Sequence, residues 1–297
     1  MTPGDRKRLW IGLLFVAPWL VGFAVLTCYP VLSSIYYSFC DYDVLSRPVW
    51  VGLLNYQDLA SDGVFWQSVR NTLLFNLIAL PLGLVTSLAL ALLLNQPVRM
   101  KGAFRAIYYL PSLVPAVAGS MVWLWILNGK LGLLNQALQA VGIHHPPQWL
   151  GDPAWTKPSL ALVSLWGCGN TVVIYLAALQ GVPRTLLEAA MIDGASAWRR
   201  LIHITLPAIS PVIYFNLLIA IIGGLQVFTS AFVMMGGGGA GPERSTLFYA
   251  IYIYQNAFEY RHMGYASAMA WVLCLLILVL TAAASRVARP FVHYQGD

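Results

Sequence analysis

The side chains best suited to covalent chemistry in this sequence stand apart from one another. Ser112, Ser120, Ser164 and Ser267 fall in or beside apolar stretches, where a hydroxyl nucleophile needs a base within hydrogen-bond reach. The histidines do not supply one: His144 and His145 sit in a connection, His203 in a basic loop, and His262 and His293 flank the last apolar stretch. Cys28, Cys40, Cys168 and Cys274 have no spacing that suggests a metal site or a disulfide framework. A phosphate-cradling G-x-x-x-x-G-K-[ST] loop would have to centre on the only Gly-Lys pair, Gly129-Lys130. Leu131 follows that pair, and Leu124 stands where the first glycine belongs. The glycine run 236–239, continued by Ala240-Gly241-Pro242, has no lysine after it and reads as a flexible turn. Neither an intramembrane hydrolase nor an ATP-binding subunit can be assembled from these parts.

A different kind of chemistry, docking, is written between residues 183 and 207. Pro183 suits the first position of a helix that carries Glu188, and Gly194 can supply the positive-φ residue that ends it. Ser196 can then cap a second short helix presenting Trp198, Leu201 and Ile202 before Pro207. Alanine, methionine, isoleucine and tryptophan exposed on two short helices make an apolar knob. Such a knob fits a groove on a soluble partner; the alternative is a helix lying on lipid.

The elements that must position this loop are membrane helices. Of 297 residues, 59% are hydrophobic and only 9% charged, against roughly a quarter charged in soluble domains. Disordered chains are polar and charge-rich, so disorder is excluded as well. The net charge of +6 does not point to nucleic acid, because the basic residues punctuate apolar blocks instead of forming a stripe. Arg6-Lys7-Arg8 precede an uncharged run from Leu9 to Cys40, too long for a cleaved signal, which reads as a retained first helix. Blocks of about 20 apolar residues, the length a bilayer requires, predict spans over 10–34, 71–94, 106–127, 159–180, 207–233 and 265–287. Eleven of the 17 basic residues then fall on the side of the termini, including Arg99, Lys101, Arg105, Arg199 and Arg200. The positive-inside rule accordingly places both termini and the 181–207 loop in the cytoplasm. One membrane domain, 1–297, is expected, and the predicted spans carry essentially no charge, which argues against a proton relay. Pro81, Pro111, Pro115, Pro207 and Pro211 fall within or at the ends of spans, as kinks or as parts of a path.

The 188–207 loop resembles the EAA motif of ABC importer permeases: E-A-A, three residues, G, nine residues, I-x-L-P. Here the motif reads Glu188-Ala189-Ala190, Gly194, Ile204, Leu206 and Pro207, with no departure in residue or spacing. The likeness extends to Val51-Gly52-Leu53-Leu54-Asn55-Tyr56, Asn71-Thr72-Leu73, Leu110-Pro111 with Pro115, and Gly132-Leu133-Leu134-Asn135. It continues in Gly241-Pro242 before Thr246 and in Gly264-Tyr265-Ala266-Ser267-Ala268. Together these look like the carbohydrate permeases, in the group handling disaccharides, oligosaccharides and glycerol phosphate, and like its compact six-span members.

The resemblance implies an all-α integral membrane protein of the type I ABC importer permease fold. It implies pairing with a second, homologous permease as a heterodimer, with two ATPase subunits beneath and a solute-binding protein delivering cargo from outside. ATP and Mg²⁺ would be bound by the ATPases, leaving this chain without a cofactor, a metal or a catalytic residue, in a bacterial or archaeal cytoplasmic membrane. Glu188 and Gly194 would be the main coupling positions, with Ala189, Ala190, Asp193 and Ala195 completing the docking surface. By position relative to the motif, the cargo path would include Ser112 and Ala116 on span three and Trp166, Gly167 and Asn170 on span four. Gly224, Gln226 and Val227 would supply it from span five. An aromatic face plus neutral hydrogen bonds is the chemistry that binds a sugar. Ser112 and Asn170 stand where the maltose type has aromatic rings, so the maltose preference does not carry over. A glycerol-phosphate cargo would want an arginine, and none lies in the predicted spans; a membrane assembly factor would use the knob without any midplane polar residues.

Overall fold

The computed structural model describes residues 3–97, 100–238 and 240–292; Arg99, Gly239 and His293 lie outside them. Carrying backbone through hydrocarbon requires every N–H and C=O to be satisfied within the segment, and the chain meets this with helix. In order come α1 (Pro3–Phe23), a wide π-type turn (Ala24–Cys28), α2 (Tyr29–Ser38), a minimal hairpin of β1 (Cys40–Asp41) and β2 (Val49–Trp50), and α3 (Leu54–Ser61). Next are α4 (Gly63–Asn95), α5 (Lys101–Tyr109), α6 (Ala116–Ile126), α7 (Leu133–Ala140), α8 (Pro153–Trp166) and α9 (Gly169–Gln180). The rest comprises α10 (Arg184–Ile192), α11 (Ala197–Arg200), α12 (Leu206–Ala208), α13 (Ser210–Leu225), α14 (Thr229–Met234), α15 (Tyr249–Tyr254) and α16 (Met263–Ala288).

Three helical stretches are long and apolar enough to cross a membrane: Trp10–Ser38, Gly63–Asn95 and Met263–Phe291. Three pairs qualify together but are bent, Gly102–Leu113 with Ala116–Ile126 by 99°, Pro153–Trp166 with Gly169–Gln180 by 53°, and Ala197–Ala208 with Ser210–Leu225 by 68°. Each pair taken as one span gives six, and the all-helical membrane class expected from composition is the class observed. The sharpest bend sits at Val114-Pro115. Val114 is forced extended (ψ 128°) before the proline, and Pro115 (φ −54°, ψ 135°) opens α6. The bend between α8 and α9 contains no proline; Gly167 ends α8 at φ −87°, ψ 8°. The stretch expected as one span over 207–233 is interrupted. α13 stops at Leu225 after Gly223-Gly224, and Phe228 (φ −139°, ψ −67°) separates it from α14, as weak helix formers at a terminus allow.

Two compact units can be described, residues 3–62 with 253–274 and residues 63–252 with 275–292. In the first unit, Asn55 Nδ2 donates to the carbonyls of Ser38 (3.0 Å) and Cys40 (2.9 Å), and Tyr56 Oη donates to Ser38 Oγ (2.9 Å). Gly264 lies so close to the Cys40 carbonyl that a Cβ would overlap it. Its N–H donates to Tyr42 O (3.0 Å). Trp10, Phe15 and Leu26 stand largely exposed on α1 and the π-type turn, a surface suited to lipid.

In the second unit α4 is the central post, with α8, α9 and α13 against it. Toward its C-terminal end, Ala91 and Leu94 are buried with Val172, Tyr175, Leu176, Leu179, Val182 and Ile209. Toward its start, Asn71 Nδ2 donates to the carbonyls of Arg244 (2.8 Å) and Leu247 (3.2 Å), and the Tyr249 N–H donates to Thr72 Oγ1 (2.9 Å). Rings close the same region, Phe65 edge-on to Tyr249 (5.4 Å) and Phe75 against Phe248 (5.1 Å). The glycine-rich segment is thereby clamped where it returns to α4.

Candidate functional site

The knob is built as a capped helix pair. Pro183 adopts φ −58°, ψ 123° and serves as the cap residue itself, one position earlier than expected, with Arg184 the first helical residue. Gly194 sits at φ +76°. The Gly194 N–H donates to Met191 O (3.1 Å) and the Ala195 N–H to Ala190 O (2.9 Å), the paired bonds of a Schellman cap. Ser196 Oγ then accepts from the Arg199 N–H (3.3 Å), and an Arg200 guanidinium nitrogen donates to Ala195 O (2.7 Å), tying α11 back to the turn. Glu188, Ala189, Asp193 and Gly194 are exposed, and Ala190 and Ala195 are half-buried. Ile192 is 88% exposed and Trp198 68%, a large apolar display held by a fixed backbone. The knob is anchored from behind, because Leu187 of α10 and Leu206 of α12 pack on the buried cluster that holds Val172, Tyr175, Leu176 and Leu179 of α9.

The residues proposed for a cargo path divide between two spaces. Ser112, Ala116, Trp166, Gly167 and Asn170 line one cavity of about 280 Å³, together with Trp123, Ser164, Thr229 and Ser230. Trp166 meets Trp123 edge-on, with centroids 6.3 Å apart and rings at 78°, and both rings line the cavity. A Cβ at Gly119 would meet Trp166 Cζ3 at 3.1 Å, so the indole lies against the bare backbone of α6. Gly224 and Val227 instead line a second cavity, about 470 Å³, whose wall also includes Gly167, Ser164 and Ser230 of the first. Gln226 is exposed at the end of α13 and lines neither.

Several polar wall residues of the second cavity escaped the sequence reading: Asn76, Ser87, Thr171 and Asn216. Their signal was available, since a polar side chain inside an apolar run is either helix glue or a lining residue. Asn76 Nδ2 donates back to Thr72 O (2.8 Å), Ser87 Oγ to Gly83 O (2.7 Å) and Asn216 Nδ2 to Val212 O (2.9 Å). Each of these bonds stays within its own helix, and each amide keeps a second N–H and its oxygen for further bonds. Asn76 Oδ1 presses on Gly224, where a Cβ would overlap it.

The helices are less free of charge than the predicted spans. Arg70 lies inside α4, Lys157 inside α8 and Arg105 inside α5, because each helix begins before its apolar core. Arg105 stands one residue before the predicted third span and lines a groove against α9. Among the described residues no three His, Cys, Asp or Glu side chains group as a metal site. A neutral, aromatic-backed space lies toward one end of α9 and an exposed, rigidly capped knob beyond the other, the first suited to a polar solute and the second to a groove on a partner.

Residues 79–292 match the family described as binding-protein-dependent transport system inner membrane component. A probable ABC transporter permease protein of Bacillus subtilis is 37% identical over 293 residues, covering 98% of this chain and 94% of its own length. The lactose transport system permease protein of Rhizobium radiobacter is 35% identical, with 91% of each chain covered. Among solved structures, a bacterial ABC transporter involved in the import of the acidic polysaccharide alginate superposes with a TM-score of 0.83 at 25% identity, covering 97% of this chain and 98% of its own.

Proposed function

The chain belongs to the binding-protein-dependent transport system inner membrane components, and from that premise we propose that it is one of two permease subunits of an ATP-driven sugar importer. As a member of that family it is a multi-pass membrane protein and a transport subunit. The observation that carries the proposal is the span of α9. Asn170, at its start, lines the Trp166 cavity, and Leu176 and Leu179, near its end, lie in the cluster on which Leu187 of the knob is seated. One helix therefore adjoins both the cavity wall and the packed base of the knob, which in this reading serve the solute and the motor.

In this reading the knob, with Glu188, Ala189, Ala190, Asp193, Gly194 and Ala195, docks in a cleft of a cytoplasmic ATPase. Two copies of the ATPase bind ATP and Mg²⁺, and this chain binds neither. A homologous permease completes the path, so the complex is a heterodimer of permeases. A solute-binding protein delivers a di- or oligosaccharide from the far side, and closure of the ATPase pair switches the cavity between two accessible states, each with its own affinity for the cargo. Both termini and the knob lie in the cytoplasm of a bacterial or archaeal cell, as the distribution of basic residues supports. Trp166 offers the stacking face, and Asn170 and Ser112 the hydrogen bonds. Support for a saccharide comes from the lactose permease and the alginate importer, one neutral cargo and one acidic.

The test is purification of this chain from its native membranes in mild detergent, with co-purifying subunits identified by mass spectrometry. Gly194→Pro is the control: it removes the N–H that bonds Met191 O and forbids the +76° φ. Recovery of a second permease and an ATPase, with the ATPase lost from the control, is the expected result. A chain that comes out alone, or an ATPase indifferent to Gly194→Pro, refutes the reading.

A further inference from the structure

A groove of about 490 Å³ runs between α5 and α9. Arg105, Ala106 and Tyr109 form one wall, and Asn170, Val173 and Ile174 the other. The spacings i, i+1, i+4 and i, i+3, i+4 put each trio on a single helix face. Asn170 also belongs to the wall of the Trp166 cavity, so the two spaces share this residue. From there Val173 and Ile174 carry the groove along α9 toward the end that seats the knob.

Arg105 is the exceptional member of this wall. Its Nε atom is buried and has no hydrogen-bond partner among the described residues. A guanidinium has five donors, no acceptor and no accessible neutral form, and a buried donor left unpaired is costly, more so on a charged group. Tyr109 and Asn170 are the other polar side chains of the groove, and the Nε–H bonds neither of them. Arg105 lines the groove, so an oxygen acceptor that enters it meets the guanidinium there and reaches the buried Nε–H once the side chain turns toward it.

We infer that Arg105 and Asn170 form a second saccharide subsite, occupied after the Trp166 cavity as cargo moves toward the knob end of α9. The guanidinium donates to oxygens of the cargo: hydroxyl and ring oxygens of a neutral sugar, or a carboxylate in a uronic acid, which accepts two parallel N–H bonds. Apolar Val173 and Ile174 suit the C–H faces of a sugar ring, so the groove holds the solute by one polar edge and lets it slide. This inference rests on the importer reading and adds a specificity residue to it.

The experiment uses the whole importer, with both permeases, the ATPases and the binding protein, in proteoliposomes. Uptake per ATP hydrolysed is measured for neutral di- and oligosaccharides and for uronate oligosaccharides, with Arg105→Gln and Arg105→Lys beside the native chain. Arg105→Gln is expected to lower uptake per ATP about tenfold, the scale of one charged hydrogen bond, with the subunit composition intact and ATPase stimulation by the binding protein retained. Arg105→Lys, which keeps the charge but loses the fork, falls between, and a uronate cargo loses more than a neutral one. Uptake per ATP that stays within about twofold of native in Arg105→Gln overturns the subsite. Loss of the partner permease from the Arg105→Gln complex also overturns it, by assigning the Nε–H to a subunit contact. A native importer that moves no saccharide of either kind overturns the sugar reading itself, and the subsite with it.

Discussion

Substitutions at Gly194 isolate the worth of the coupling turn. The residue sits at φ +76°, and a Cβ built on it meets nothing within 4 Å, so no collision accompanies a side chain. What a side chain adds is the intrinsic cost of the left-handed region, roughly 1–2 kcal/mol for an L-residue. Asparagine tolerates that region better than alanine, and a β-branched residue tolerates it least. Converted at 1.4 kcal/mol per tenfold, Gly194→Ala lowers the population of the capped turn relative to open alternatives by roughly 5- to 30-fold. A docking ATPase binds only the competent fraction, so its apparent dissociation constant rises by up to that factor. The assay is titration of purified ATPase onto the permease pair in nanodiscs, with melting of the permease pair recorded in parallel. Affinity should fall in the order glycine, asparagine, alanine, valine, while the melting temperature stays nearly constant because the turn is exposed. An alanine variant that binds as tightly as native, or asparagine as damaging as valine, refutes the assignment of coupling to this backbone conformation.

Gly224→Ala forces a methyl into Asn76 Oδ1 and should destabilise the complex by about 1–3 kcal/mol; adding Asn76→Ala should restore most of the melting temperature, and simple additivity of the two losses would sink the contact. Asn71→Leu strips the half-buried carbonyl of Arg244 and the buried carbonyl of Leu247 of the amide that donates to both, with an expected loss of about 1–3 kcal/mol in chemical denaturation. Trp166→Ala should weaken saccharide uptake roughly 5- to 10-fold through the lost stacking face, with the ATPase still bound; an unchanged apparent affinity would place the cargo elsewhere. The Asp43 carboxyl is held below the usual carboxylate range by the N–H and hydroxyl of Ser46, then the N–H of Leu45. Its turn is therefore stabilised at neutral pH, and the stabilisation is lost as pH falls below the ordinary carboxylate value through the lowered one. Ser46→Ala should move the Asp43 titration upward in a carbon-detected NMR experiment.

The geometry of the turn at Gly194 was legible because its signals are local. Gly194 for φ, Ser196 for the cap and Ile192 and Trp198 for the display all act within a few residues. The fold's long-range staples were visible as motif positions but not as contacts. Asn55, Asn71, Asn135 and Gly264 were singled out for their likeness to carbohydrate permeases. Their work is to bond or approach carbonyls, and for Asn71 that carbonyl lies more than 170 residues away in sequence, which no spacing rule reveals. The bend at Val114-Pro115 announced itself through proline; the bend at Gly167 and the break after Leu225 did not, since glycines embedded in apolar runs are tolerated within membrane helices. Arg105 was counted as a loop residue because it precedes the apolar core of its span. The helix that carries it starts earlier, and the groove beside α9 is a tertiary product. Apolar runs report where lipid is, and helix ends are set by capping and neighbours as well.

α9 is about 18 Å long, and Val172, Tyr175, Leu176 and Leu179 hold it to the buried cluster along nearly that whole length. Asn170 lies two residues from Val172 and so has little freedom of its own. Close-packed side chains do not yield one at a time, and the helix behaves as a rigid rod set between the cavity wall and the base of the knob. A rod does not amplify a displacement; it passes one on.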